Sequence, residues 1–212
     1  MATTTPNYGW DVPTSTDYVK DGATAIETLG DDIDATLFSV TSGKNVGMVL
    51  INATTITASS TVNIDNIFTS SFRNYRIVTA LTTVAGSGGI YMKMRAGGVS
   101  NSSANYAFAA TGYISNNSGT NGYSNGVTTS GFELGYCANA LGGLFSNDMM
   151  LYNPQQTQYT TFTGDAVTTF NTTNNYTWAN GGLMNVTTAY DGLSLIGPAN
   201  MTGVIRIYGL KD

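Results

Sequence analysis

Val204-Ile205-Arg206-Ile207-Tyr208-Gly209-Leu210 sets Val204, Ile205, Ile207 and Leu210 around Arg206 and Tyr208. Side chains that change face at every residue belong to a strand, and this run is the clearest case of that pattern in the chain. Working back from it, similar short runs occupy 48–56, 61–67, 75–84, 90–96, 106–114, 132–137, 144–152, 159–167, 183–190 and 193–197. Each is bounded by clusters of Gly, Asn, Ser or Pro, and no helical period intervenes. Many short strands at this spacing predict an antiparallel β-sandwich of jelly-roll-like kind over residues 47–212, so the chain is mainly β. No fixed-period repeat appears, which counts against a propeller or a β-helix. At 212 residues the chain is long enough to bury a substantial core.

Upstream of residue 47 the period changes. Val19, Ile26, Ile33 and Val40 recur every seven residues, and Ala23, Gly30 and Leu37 fall four after the first three. This 4-3 repeat predicts a helix over residues 16–43, capped by Thr14 or Ser15, with Asp17 near the positive end of its dipole and Gly43 at its end. The acids of this stretch lie off the stripe, as a self-associating helix requires. Gly22 and Gly30 each cost about 1 kcal/mol relative to Ala, so the helix needs packing to persist. A seam of β-branched and small residues permits a three-stranded coiled coil through Val19, Ala23, Ile26, Gly30, Ile33, Leu37 and Val40. The competing expectation is that the stripe lies on its own sheet. Residues 1–15, with Pro6 and Pro13, read as an irregular arm that a partner must order, with Tyr8 and Trp10 as anchors.

Composition restricts the chemistry. Charged residues make up 10% of the chain, there is no histidine, and Cys137 is the one cysteine. Zinc sites, His-dependent triads and disulfides are thereby excluded, and no metal or cofactor is expected. Residues 1–40 carry Asp11, Asp17, Asp21, Glu27, Asp31, Asp32 and Asp34 against Lys20, while the remainder is nearly neutral without a basic cluster. Nucleic-acid binding is not expected from such a distribution. The first residues lack the basic and apolar regions of a signal peptide, and no apolar run reaches the ~20 residues of a membrane span, so synthesis in a cytoplasm without membrane insertion is expected.

Glycoside hydrolysis survives the loss of histidine, because it needs only two carboxyl groups. Asp65, Glu133, Asp148, Asp165 and Asp191 form no recognisable pair in the sequence, and a non-enzymatic protein is expected. Cys137 reads as a buried apolar residue. Two stretches, 113–126 and 171–182, combine Tyr, Trp, Asn, Ser and Gly in the proportions of a binding paratope. Sugar C–H faces stack on aromatic rings and amides meet hydroxyls, which makes Tyr113, Asn117, Tyr123, Tyr176 and Trp178 candidate glycan-binding residues. The alternative is an Asn/Gly-rich turn with its aromatic tucked over the end of the sandwich.

From Thr5 to Asp34, Gly9-Trp10-Asp11-Val12-Pro13 leads into Asp17-Tyr18-Val19-Lys20-Asp21-Gly22-Ala23 and on to Ile33-Asp34. This stretch resembles the opening of tail-fibre and minor structural proteins of tailed bacteriophages. Phe72-Arg73-Asn74-Tyr75-Arg76-Ile77-Val78, Met92-Lys93-Met94-Arg95-Ala96-Gly97-Gly98 and Gly203 to Leu210 are similar, more loosely, to strand motifs of phage fibre heads. The resemblance implies a homotrimer in the virion, assembled in the host cytoplasm. Its arm (1–15) would attach to another virion protein, its helix (16–43) would trimerise, and its head (47–212) would face the host or solvent. A short tail fibre or adhesin that binds host carbohydrate is the first expectation, a head fibre or capsid-decoration protein the alternative, and a glycan hydrolase a distant third. The chain has no long shaft and no depolymerase-sized β-helix, which departs from the larger family members.

Overall fold

The computed structural model describes residues 3–15, 18–41, 47–114, 121–128, 130–137, 143–169 and 175–211. Residues 1–47 and 48–212 form two compact units.

In the first unit, strands β1 (Thr3–Thr4) and β2 (Asp11–Val12) pair antiparallel. The chain reverses between them because Thr5 N–H donates to Trp10 O at 2.9 Å, Trp10 N–H donates to Thr5 Oγ1 at 3.0 Å, and Gly9 takes the left-handed conformation at φ 68°. The rings of Tyr8 and Trp10 stack at 5.1 Å. The arm expected to be irregular therefore closes on itself as a small hairpin. Helix α1 runs Val19–Thr41, with Asp21 in its first turn; residues 16, 17, 42 and 43 lie outside the described residues. Among the described residues no helix is long and apolar enough to cross a membrane.

The second unit is mainly antiparallel β. Its strands are β3 (Met48–Ile64), β4 (Asn74–Val84), β5 (Gly88–Ala96), β6 (Val99–Ser100), β7 (Tyr106–Ile114), β8 (Asn121–Thr128), β9 (Phe132–Cys137), β10 (Phe145–Tyr152), β11 (Thr161–Thr169), β12 (Asn175–Met184) and β13 (Gly192–Leu210). β13 lies at the centre. Its first residues, Gly192 to Ile196, pair with β5, and Met201 to Leu210 pair with β4. The ladder with β3 shifts register between Ile196 and Met201, around Pro198, where a residue without an N–H is tolerated. Gly203 follows, where a Cβ would lie 2.2 Å from Ala80 O, so only glycine fits beside β4. β13 thus passes from a smaller sheet containing β5, β6 and β9 into a larger one ordered β13-β4-β10-β11-β12-β7-β8, with β3 alongside both halves.

The two layers face each other through β9. Phe132 packs on Phe162 at 4.4 Å and meets Tyr106 edge-on at 5.1 Å. Asn180 Nδ2 donates to Leu134 O at 2.8 Å, and Thr168 Oγ1 donates to Tyr136 O at 2.7 Å. Along β10, Phe145, Asn147, Met149 and Leu151 are buried while their neighbours are exposed or half-buried, the period-two alternation of a strand with one dry face.

The structure departs from the sequence expectation in four places. Runs 48–56 and 61–67 fall largely in the single strand β3, and 193–197 and 204–208 in β13. Stretches read as loops supply β8 and the greater part of β12, whereas 185–190 lies outside any strand. Inward positions here include Asn147, Thr168 and Asn180, so polarity does not mark the outward face.

At one end of the smaller sheet a charged side chain is buried with all its donors used. Arg95 Nε and Nη2 meet Asp65 at 2.6 and 3.1 Å, Nη1 reaches Ser100 Oγ at 2.9 Å and Ser194 Oγ at 3.3 Å, and Nη2 also donates to Gly98 O. Saturation of all five guanidinium N–H groups marks this network as structural.

Candidate ligand-binding groove on the outer face of the larger sheet

Among the residues expected to bind sugar, those whose side chains are described do not converge. Trp178 points inward from β12 and is 5% exposed. A Cβ on Gly112 would lie 2.7 Å from Trp178 Cε3, and one on Gly135 would lie 3.3 Å from its Cδ1, so the indole fills space that two glycines leave open. This corrects the expectation of a surface tryptophan: alternation along β12 puts an aromatic flanked by Thr177 and Ala179 into the core. Tyr176 shares that inward side, half-buried at 5.5 Å from the Trp178 ring, and burial pushes its phenol pKa up. Tyr113 is 58% exposed on the opposite face of the sheet, where its strand neighbour Thr177 also lies. Tyr123 pairs with Thr111 in β8, with its side chain outside the described residues, and Asn117 lies wholly outside them.

The face that carries Tyr113 has another feature. The strand registers align Arg206, Val78, Asp148, Asp165, Ala179 and Thr111 in one row across five ladders. Asp148 and Asp165 stand directly opposite each other on β10 and β11, a placement that puts two Cβ atoms about 5 Å apart and is unfavourable for like charges. Arg76 offsets part of this. Its Nε donates to Asp148 Oδ1 at 2.8 Å and its Nη2 donates to Asp148 Oδ2, a two-pronged contact at side chains 42% and 48% exposed. The Asp165 carboxylate has no partner among the described residues.

The groove over this row has a volume of about 630 Å³ and is bordered by Met48, Arg76, Met150, Thr163 and Leu210 as well as both aspartates. A second depression of about 310 Å³ continues it past Asp148 and Asp165 to Val78, Ser146 and Val167. The Arg76 guanidinium, through its hydrogen bonds, holds the Asp148 carboxyl below the usual carboxylate range, and Asp148 in turn pushes the Arg76 pKa up. A general acid for glycoside cleavage needs the opposite shift, so Asp148 suits accepting hydrogen bonds from hydroxyl or amino groups rather than donating a proton. Among the described residues no group of three His, Cys, Asp or Glu gathers to hold a metal. Cys137 is buried, and burial pushes its thiol up to about 12.

Sequence reasoning missed the Asp148–Asp165 juxtaposition. It depends on the β10–β11 register, which the connection over residues 153–160 leaves open, and a one-residue slip moves a side chain to the other face.

No protein-family model and no curated protein matches the chain. Among solved structures it is similar to the CBM40 of the Ruminococcus gnavus IT-sialidase bound to α2,6-sialyllactose, at 10% identity and a TM-score of 0.29, over 74% of this chain and 92% of that one. It is also similar to the CBM2 module of the evolved Dit of Lactobacillus casei BL23 phage J-1, at 9% identity and a TM-score of 0.24, over 79% of this chain and 91% of that one. Similarity at this level carries no argument about ligand or role.

Proposed function

We propose that the chain is a self-associating structural component of a tailed-bacteriophage particle, a short tail fibre or adhesin. In this reading residues 1–15 attach to another virion protein, α1 holds three copies in a coiled coil, and the β unit presents the Asp148–Asp165 groove and Tyr113 to host-surface carbohydrate. One observation carries it. The heptad stripe of α1 is exposed along its length, with Val19 at 95%, Ile26 at 64%, Ile33 at 36%, Leu37 at 57% and Val40 at 47%. Burying a Val, Leu or Ile side chain contributes about 1.5–3 kcal/mol, and five per copy outweigh the ~1 kcal/mol that each of Gly22 and Gly30 costs. Ala23 and Gly30, also exposed, leave room for close helix approach.

Polyhydroxylated ligands fit the groove because carboxylates accept pairs of hydroxyl hydrogens, Thr163 adds a hydroxyl, and Met150, Ala179 and Leu210 offer apolar contact. Sedimentation at micromolar concentration tests the assembly: the natural chain runs as a trimer and the Ile26→Asp/Ile33→Asp double variant as a monomer. A monomeric natural chain removes the coiled-coil argument.

A further inference from the structure

Among the described residues, nothing pairs with the outer edge of β3, the longest strand edge of the β unit. β3 pairs with β13 alone among the described residues, and its 17 residues, Met48–Ile64, include no charged residue and no proline. A free edge is a row of unpaired N–H and C=O groups, and proteins commonly blunt such edges with Lys, Pro, bulges or short length. β3 has two such devices. Its ladder with β13 skips Ile51 between Leu50 and Asn52, a bulge, and Ala58 takes φ 44° in a non-glycine residue, so the straight stretch of the edge is 52–57. At the other end of the larger sheet, β8 pairs with β7 alone among the described residues, and its eight residues, Asn121–Thr128, also include no charge or proline.

We infer that the edge of β3 pairs with the edge of β8 in a neighbouring copy of this chain, extending the sheet from one copy into the next. The inference rests on the coiled-coil reading of α1. Three-fold assemblies use heterologous contacts, in which one surface meets a different surface of the next copy, so β3 cannot be its own partner there. β8 is the other long, uncharged edge, and its eight residues are enough to span the six-residue straight stretch of β3. Residues 42–47 are the whole tether between Thr41 and Met48, and six residues reach at most about 21 Å. Copies joined at α1 therefore present these edges to one another at an effective concentration in the millimolar range, far above that of an independent partner.

Hydrogen exchange on the full-length protein, read beside its sedimentation, tests the pairing. In the trimer the amides of residues 52–57 that point away from β13, and those of β8 that point away from β7, are protected together. Thr55→Lys/Thr57→Lys on β3 and, separately, Val127→Lys on β8 each lower the protection of both edges by about tenfold or more while α1 keeps the trimer mass. A trimer whose β3 and β8 edge amides exchange freely overturns the pairing and leaves the coiled coil standing. Deprotection of β8 alone by Val127→Lys overturns the β3–β8 match. If Ile26→Asp/Ile33→Asp leaves both the trimer and the edge protection intact, the coiled-coil reading falls and the edge pairing stands. A monomeric natural chain with free edges overturns both.

Discussion

Replacing Trp178 with alanine tests how the β unit is packed. The indole is 5% exposed and lies where Gly112 and Gly135 have no side chains, so neither can fill the space it vacates. Truncation of a buried aromatic costs about 3–5 kcal/mol, and poor collapse around the two glycines favours the upper part of that range. Domains of this size lose about 2–4 °C per kcal/mol, which places the fall in melting temperature at roughly 6–20 °C. Trp178→Phe costs less, because most of the ring remains and the indole N–H has no acceptor among the described protein atoms. Melting followed by circular dichroism compares the three proteins. Because the chain has two tryptophans, a Trp10→Phe background isolates Trp178, whose fluorescence resists acrylamide quenching until the unit unfolds. A Trp178→Ala protein that melts like the parent, or an indole that quenches freely in the folded state, refutes the packing account and restores Trp178 as a surface binding residue.

Arg95→Lys retains the charge but loses the planar fork that serves Asp65, Ser100, Ser194 and Gly98 together; a loss of about 2 kcal/mol or more in urea unfolding is expected, and an unchanged midpoint refutes it. The Asp148 carboxyl lies below its unfolded value through its hydrogen bonds to Arg76, so its stabilising contribution is full above about pH 4 and disappears as the pH falls through the folded value. With both side chains nearly half exposed, the stability gap between the natural chain and Asp148→Asn is at most about 1 kcal/mol at pH 7 and closes in acid; a gap that widens in acid reverses the sign argument. Cys137, with its thiol raised to about 12 by burial, reacts with maleimide at pH 8 only after unfolding, and rapid labelling of the folded protein contradicts its placement.

Period is a local property, and it was legible in the chain. The seven-residue recurrence from Val19 to Val40 marks α1, and the alternation from Val204 to Leu210 marks the second half of β13, because helices and strands repeat faces at 3.6 and 2 residues whatever they pack against. Composition likewise removed histidine and disulfide chemistry without reference to any fold. Register and layering are not local. The β10–β11 register sets Asp165 opposite Asp148, and the position of β12 between β11 and β7 decides that Trp178 turns inward while Tyr113, on the adjacent strand, stays outside. Their immediate neighbours do not decide it: Trp178 sits between Thr177 and Ala179, and Tyr113 between Gly112 and Ile114. What separates them is which face of the larger sheet the smaller one covers, and that follows from β13 bending near Pro198 and carrying β5 and β9 over one side.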